Sequence, residues 1–143
     1  MEQATGELKP TVVDASAIID LLLHPAEVPW VGAHLQGSPS LLVPHACDLE
    51  VASSLRRALM RRWLGEGRAG QALLAYLDLP LRRCRQDLIL GRVLRLRDNF
   101  TAFDAAYVAL AEAFGAKLLT TDAGLARATA THTDVPVVEW VSA

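Results

Sequence analysis

The chain has 143 residues, 52% of them apolar, so one domain can bury a core without disulfides or a structural metal. Its formal net charge of −2 gives no support to nucleic-acid binding through bulk charge, and no apolar stretch approaches the roughly 18–20 residues that span a bilayer. Two cysteines without paired spacing and a start without a basic, apolar leader predict a reduced, cytoplasmic protein.

Strand-like and helix-like segments alternate along the chain. Residues 1–10 are polar and end in Pro10, which predicts a loose lead-in before a single domain over 11–143. In chain order we predict a strand at 11–13, helices at 15–23 and 28–35, a strand at 41–43, helices at 49–63 and 69–77, a strand at 79–84, helices at 88–96 and 103–114, a strand at 117–120, a helix at 123–128 and a last strand at 135–140. This order is typical of an α/β domain of three layers, with a mostly parallel sheet flanked by helices.

The long central helix carries apolar residues at spacings of three or four. Such a stripe predicts the face that packs on the core. Its members are Leu49, Ala52, Leu55, Leu59 and Trp63. The run Gly65-Glu66-Gly67 then predicts a break before the next helix.

Arginine supplies nearly all of the positive charge and is concentrated in two segments. Six of the twelve Arg lie between Arg82 and Arg97, and a smaller group comprises Arg56, Arg57, Arg61 and Arg62. The guanidinium fork matches phosphate and carboxylate, so these segments could contact RNA or an acidic partner. A solvated helix face explains them equally well, and both interpretations stay open.

Four acidic residues stand where an α/β fold brings side chains together. Asp14 and Asp122 each follow a predicted strand, and ligands of open α/β sheets bind outside the carboxyl ends of strands. Glu50 and Asp104 lie near the starts of helices that enter from the same side. Each acid alone also has an ordinary explanation: Asp14 as an N-cap, Asp122 as another unless Thr121 takes that place, Asp104 in a capping box with Thr101, and Glu50 at a helix dipole.

Four segments together resemble the PIN-domain family and, within it, the VapC-type toxins of toxin–antitoxin pairs. They are 12–20 (VVDASAIID), 45–52 (HACDLEVA), 101–111 (TAFDAAYVALA) and 117–122 (KLLTTD). The last two are the most specific, and nothing between residues 64 and 98 is diagnostic.

This resemblance implies a PIN-like fold and assigns Asp14, Glu50, Asp104 and Asp122 to the family's acidic cluster. It implies RNA cleavage that depends on Mg²⁺ or Mn²⁺, a homodimer, and neutralisation by a cognate VapB-like antitoxin. Ser16 and Thr121 match positions where a hydroxyl group often supports the site.

The residue types suit that chemistry. Hard divalent cations prefer oxygen ligands, and metal-assisted hydrolysis needs an activated water and relief of charge on phosphoryl oxygens. No zinc spacing occurs among the histidines, which are His24, His34, His45 and His132. We assign Asp14 and Asp104 as principal ligands, Asp122 as completing the site, and Glu50 as orienting or deprotonating the attacking water. The products would be 5′-phosphate and 3′-hydroxyl ends.

Three other interpretations fit parts of the sequence. A haloacid-dehalogenase-like phosphatase needs a second Asp two residues after the first, where Ser16 stands. A receiver domain needs a Lys after a late strand, whereas Lys117 opens one. A PIN fold could also bind RNA or protein without cleaving it, and cleavage of single-stranded RNA with and without EDTA would separate that from an enzyme.

Overall fold

A computed structural model describes residues 9–138, which form an α/β domain around a four-stranded parallel sheet. The strands are β1 (Thr11–Val13), β2 (Leu41–Pro44), β3 (Leu81–Cys84) and β4 (Lys117–Leu119), in the spatial order β3-β2-β1-β4. All three strand pairs are parallel, with Val12 opposite both Leu42 and Leu118. The predicted fold class is confirmed.

Within residues 9–138, seven α-helices flank this sheet. They are α1 (Ala15–Leu23), α2 (Pro29–Gly37), α3 (Ala46–Met60), α4 (Glu66–Asp78), α5 (Leu90–Arg95), α6 (Ala102–Phe114) and α7 (Ala123–His132). Two short 3₁₀ turns precede α2 and α5, at Pro25–Glu27 and Asp87–Ile89. Among the described residues no helix has the length and apolar character that crossing a membrane requires.

Helix α6 is the centre of the core. Its residues from Ala105 to Ala111 are buried without interruption, and it contacts β1, β2 and β4. Alanine at most of these positions lets neighbouring elements approach the helix closely. The Thr101 side chain accepts a hydrogen bond from the Asp104 backbone N–H at the start, and Gly115 ends the helix at φ 61°. That left-handed conformation costs glycine little, which explains the sharp stop.

The predicted buried stripe of the long helix is wrong in three of its five members, since Leu49, Ala52 and Trp63 are all exposed. Leu49 is 75% exposed, and Trp63 is 69% exposed because α3 ends at Met60. The buried residues of α3 are Cys47, Val51, Leu55 and Ala58. Both sets have helical spacing, so spacing alone could not choose between the faces. Leu49 lies on a neighbouring face of α3, which borders the cleft described below.

Other differences concern element boundaries. The break before α4 is shorter than predicted, because Glu66 and Gly67 are already helical. The segment at 88–96 divides into a 3₁₀ turn and the short α5. In place of the predicted last strand, the described part has one isolated parallel bridge between Val137 and Leu118. The rest of that strand, at 139–140, and the lead-in at 1–8 lie outside the described residues.

Candidate active site

A cleft of about 570 Å³ opens at the carboxyl ends of the central strands. The chain leaves β1 toward β2 and β3, and later returns on the other side of β1 as β4. Such a switch in strand order separates the connecting segments on its two sides and leaves a crevice, which is where α/β sheets bind ligands. Asp14 follows β1 and Asp122 closely follows β4, so both acids lie at this crevice.

All four predicted acids line this one cleft. Helices α3 and α6 add Glu50 and Asp104 to the two acids at the strand ends. The remaining lining residues are Ala15, Ser16, Leu49, Ser53, Ser54, Arg57 and Phe103. The acids face the cleft without closing on a point, since no three His, Cys, Asp or Glu side chains within residues 9–138 are placed to hold a metal ion together.

Asp14 is the most enclosed of these acids, with 5% of its surface exposed. Its Oδ2 atom accepts hydrogen bonds from Ser16 Oγ at 2.6 Å and from Thr120 Oγ1 at 2.8 Å. Burial raises the pKa of Asp14, the two hydroxyls oppose that rise, and the charge of Asp122 adds to it. Asp14 begins α1, but its side chain makes no capping bond, so the carboxylate is held toward the cleft.

Asp122 both caps a helix and lines the cleft. Its Oδ1 atom accepts hydrogen bonds from the backbone N–H groups of Gly124 at 2.9 Å and Leu125 at 3.1 Å. It is therefore the N-cap of α7 and also a wall of the cleft. Capping fixes the side chain, which makes the second carboxylate oxygen a well-positioned acceptor.

Asp104 and Glu50 are half-buried acids with perturbed ionisation. Burial, followed by the charges of Asp14 and Asp122, raises the pKa of Asp104 to about 6. Burial also raises the pKa of Glu50, and the charges of Asp14 and Asp104 act in the same direction. The carboxylates therefore lie near enough to oppose one another's ionisation. A site with this property favours either protons or a cation.

Two residues of this site were missed from the sequence. Tyr107 is fully buried, and its hydroxyl donates a hydrogen bond to Glu50 Oε1 at 2.8 Å. It lies three residues after Asp104, on the same helix face, and that spacing could have revealed it. The second is Thr120, which supplies the hydroxyl that we had assigned to Thr121.

The contacts of the threonine pair explain that correction. Thr120 Oγ1 contacts Asp14 and also accepts a hydrogen bond from the Asp122 backbone N–H at 3.0 Å. Thr121 approaches the site through its backbone N–H, which donates to Ser16 Oγ at 3.3 Å. Thr120 thus directs its hydroxyl to Asp14, whereas Thr121, which lies in a bend after β4, contributes its backbone.

The side-chain chemistry of the cleft suits a hard cation and, through it, a phosphate group. Every acidic ligand presents oxygen, and no histidine or cysteine side chain lines the cleft among the described residues. Carboxylate oxygens are the donors that Mg²⁺ and Mn²⁺ prefer. Glu50 differs from the other acids because a buried tyrosine fixes one of its oxygens, which suits a proton acceptor of defined orientation.

Comparisons with known proteins agree with this geometry. A PIN domain is matched over residues 11–130. The VapC ribonuclease Mb0985 of Mycobacterium bovis is 39% identical over 111 residues, which cover 78% of this chain and 84% of that protein. Ribonuclease VapC12 of Mycobacterium tuberculosis is 32% identical over 127 residues, or 89% of this chain and 98% of that protein.

A solved structure supports the same fold. PAE2754 from Pyrobaculum aerophilum has a TM-score of 0.66 and 22% identity over 91% of this chain and 83% of its own. The fold, the cleft and these matches together define the class: the chain belongs to the PIN-domain family. The relatives named above are VapC ribonucleases, so the predicted resemblance to the VapC type within that family is confirmed. The phosphatase and receiver interpretations are thereby excluded.

Proposed function

We propose that this chain is a metal-dependent endoribonuclease and the toxin of a toxin–antitoxin pair. One observation carries the proposal: four carboxylates from distant parts of the sequence line a single cleft at the switch in strand order. The VapC relatives are named as ribonucleases, which supports RNA as the substrate. A cytoplasmic location and a homodimer, both implied by the family resemblance, complete the proposal.

The donor set fits a divalent metal, which is general among nucleases of this family. We assign Asp14, Asp104 and Asp122 as the residues that hold Mg²⁺ or Mn²⁺, and the three carboxylates must rotate toward one another to share an ion. When bound, such an ion activates water and offsets negative charge on the phosphoryl oxygens. The charge of the ion would then offset the burial and the carboxylate repulsion that raise the pKa values of Asp14 and Asp104.

The chain's own residues handle the proton and the position of the water. Tyr107 binds Glu50 Oε1, and we assign the other oxygen, Oε2, to accept the proton of the attacking water. The water oxygen forms a bond to phosphorus, the bond from phosphorus to the 3′ oxygen breaks, and that oxygen takes a proton from solvent. The products carry a 5′-phosphate and a 3′-hydroxyl.

The test uses purified Asp14→Asn and Asp104→Asn variants with a labelled pool of single-stranded RNA. We expect cleavage by the wild-type chain in Mg²⁺ or Mn²⁺, none in EDTA, and a loss of at least about 100-fold in either variant. Circular dichroism serves as the control for folding. Full activity of a variant under controlled metal would end the assignment. RNA binding by the wild type without any cleavage would favour the non-catalytic PIN module.

The antitoxin partner rests on family membership. We propose that a VapB-like protein encoded beside this chain binds it and blocks the acidic cleft. We expect this chain to arrest growth when it is expressed alone, and co-expression with the neighbouring small reading frame to relieve that arrest. Arrest that persists despite a purified complex of the two proteins would contradict the blocking role.

A further inference from the structure

Helix α3 presents a row of polar side chains to the cleft beyond the acids. Glu50, Ser53, Ser54 and Arg57 have the spacing i, i+3, i+4 and i+7, which places them on one helix face, and all four line the cleft. Seven residues of α-helix separate Glu50 from Arg57, about 10 Å along the axis. Arg57 therefore lies past the carboxylates, along the same wall.

Arg57 is the only cationic residue among the described residues that line the cleft. It forms no ion pair within residues 9–138. By contrast, three members of the larger arginine segment are neutralised within the chain: Arg83 by Asp48, Arg85 by Asp87 and Arg92 by Glu112. The sequence left open whether the two arginine segments contact a ligand or are solvated helix faces, and the two segments differ in this respect. Half of the arginines in the larger segment are held in ion pairs, whereas Arg57 borders the cleft without one among the described residues.

An aromatic ring from α6 lines the same cleft. Phe103, directly before Asp104, is 57% exposed and also borders a smaller hollow beside α5. Exposed aromatic rings next to a nucleic-acid path are stacking surfaces for bases, and stacking requires a base that is not paired in a duplex. A positive charge from α3 and a ring from α6 in one cleft match the two parts of a nucleotide.

We propose that this end of the cleft is a subsite for the nucleotide next to the cleaved bond. Arg57 binds that nucleotide's phosphate, with the hydroxyls of Ser53 and Ser54 as additional donors, and Phe103 stacks on its base. The subsite selects single-stranded RNA. This inference rests on the proposed ribonuclease function and names substrate-binding residues for it.

The first test measures binding without cleavage. A fluorescein-labelled single-stranded RNA of mixed sequence is titrated in EDTA with the wild type, Arg57→Ala and Arg56→Ala over a range of KCl concentrations. Arg56 is a matched control, since it is exposed on the same helix and lies outside the cleft lining. One lost phosphate contact should lower the slope of log K against log salt by about 0.7, and the affinity at low salt by about tenfold.

We expect this loss in Arg57→Ala and wild-type binding in Arg56→Ala. Equal RNA binding by the two variants would overturn the subsite, and a defect of Arg57→Ala confined to antitoxin binding would assign the residue to the protein partner instead. Because the assay contains no metal, it reports on the subsite even if the chain fails to cleave RNA.

The second test concerns the ring. Phe103→Leu keeps an apolar side chain but removes the stacking face, so KM for single-stranded RNA should rise about tenfold while kcat stays within about threefold. Phe103→Tyr should restore KM. Phe114→Leu, at the far end of α6, is the control and should match the wild type. An unchanged KM in Phe103→Leu, or equal cleavage of the same RNA annealed to its complement, would contradict the stacking role.

Discussion

At the scale of single residues, the site depends on which hydroxyl groups donate hydrogen bonds to Asp14. Its Oδ2 atom accepts hydrogen bonds from two hydroxyl groups, and the residue is almost completely buried. Hydrogen bonds to a buried carboxylate stabilise its charged form, and this is the form that can bind a cation. Ser16 and Thr120 are therefore positioning residues for Asp14.

The two adjacent threonines give a direct test of this positioning. Thr120→Val keeps the shape but removes the hydroxyl, so we expect a higher pKa for Asp14 and about tenfold lower cleavage, with the defect growing as the pH falls. Thr121→Val should retain nearly full activity. The measurement is cleavage rate against pH at fixed Mg²⁺. Equal loss in both variants would show that the hydroxyl contact is not what matters.

The ionisation of Asp104 predicts how stability depends on pH. Its pKa is raised to about 6, whereas an Asp in an unfolded chain titrates near 3.9. Between these values the folded protein holds a proton that the unfolded chain has released, so this group's contribution is complete below about pH 4 and is lost as the pH rises through 6. The metal-free protein should therefore become less stable from pH 5 to pH 7.

Asp104→Asn removes part of that dependence. In EDTA at pH 7 we expect the free energy of unfolding of the variant to exceed that of the wild type by about 1 kcal/mol. This value is discounted because Asp104 is partly exposed to solvent. Urea unfolding at pH 5, 6 and 7 measures it. Asp98→Asn, which changes an exposed acid outside the cleft lining, should keep the wild-type slope. A variant with an undiminished slope would show that Asp104 ionises normally.

At the scale of elements, the contact between α3 and α6 sets the geometry of the proton acceptor. Tyr107 on α6 is buried, and its hydroxyl reaches across to Glu50 on α3. A second tyrosine contact, from Tyr76 on α4 to Asp48 on α3, has the same chemistry but lies outside the cleft lining. The chain thus contains its own control for separating a structural hydroxyl from one that orients a site.

Tyr107→Phe should lower kcat about tenfold and leave KM nearly unchanged, because the phenol orients Glu50 and does not bind RNA. Loss of this hydrogen bond also raises the pKa of Glu50, so the pH profile of kcat should move to higher pH. Tyr76→Phe should cost a similar amount of stability, about 1 kcal/mol, while keeping kcat. Steady-state kinetics with urea unfolding checks both. Matching kcat values would reduce Tyr107 to a packing residue.

The elements also show how far the sequence could predict the structure. The four strands and the acids that follow two of them were predictable, because short runs such as 11–13 and 41–43 mark strands locally. The predicted last strand was wrong, since the described part of it forms only an isolated bridge. The buried face of α3 was not predictable, since two sets of residues share helical spacing and only tertiary packing chooses between Leu49 and Val51. The role of Thr120 depends on side-chain directions after a strand, which no local pattern contains. Spacing places Tyr107 on the helix face of Asp104, but its contact with Glu50 on another helix is set by tertiary packing.

At the scale of the whole molecule, the acidic cleft opposes folding stability. Carboxylates about 4 Å apart repel by roughly 4 kcal/mol at an effective dielectric near 20, and this domain spreads the cost over two strand ends and two helices. The packing around α6, with its continuous buried segment, holds those elements in place against the repulsion. A ligand that relieves the repulsion should therefore stabilise the entire domain.

Divalent metal should raise the melting temperature of the protein. When the folded protein binds the ion and the unfolded chain does not, Mn²⁺ or Mg²⁺ at a hundred times its Kd adds about 2.7 kcal/mol to the free energy of unfolding. Because binding competes with protons for the same carboxylates, the increase should be larger at pH 7.5 than at pH 5.5. Calorimetry with and without EDTA measures it, and Asp104→Asn should lose most of the response while Asp98→Asn keeps it. A response of the same size in both variants would mean that the metal binds outside the cleft, and the assignment of the four acids would fail with it.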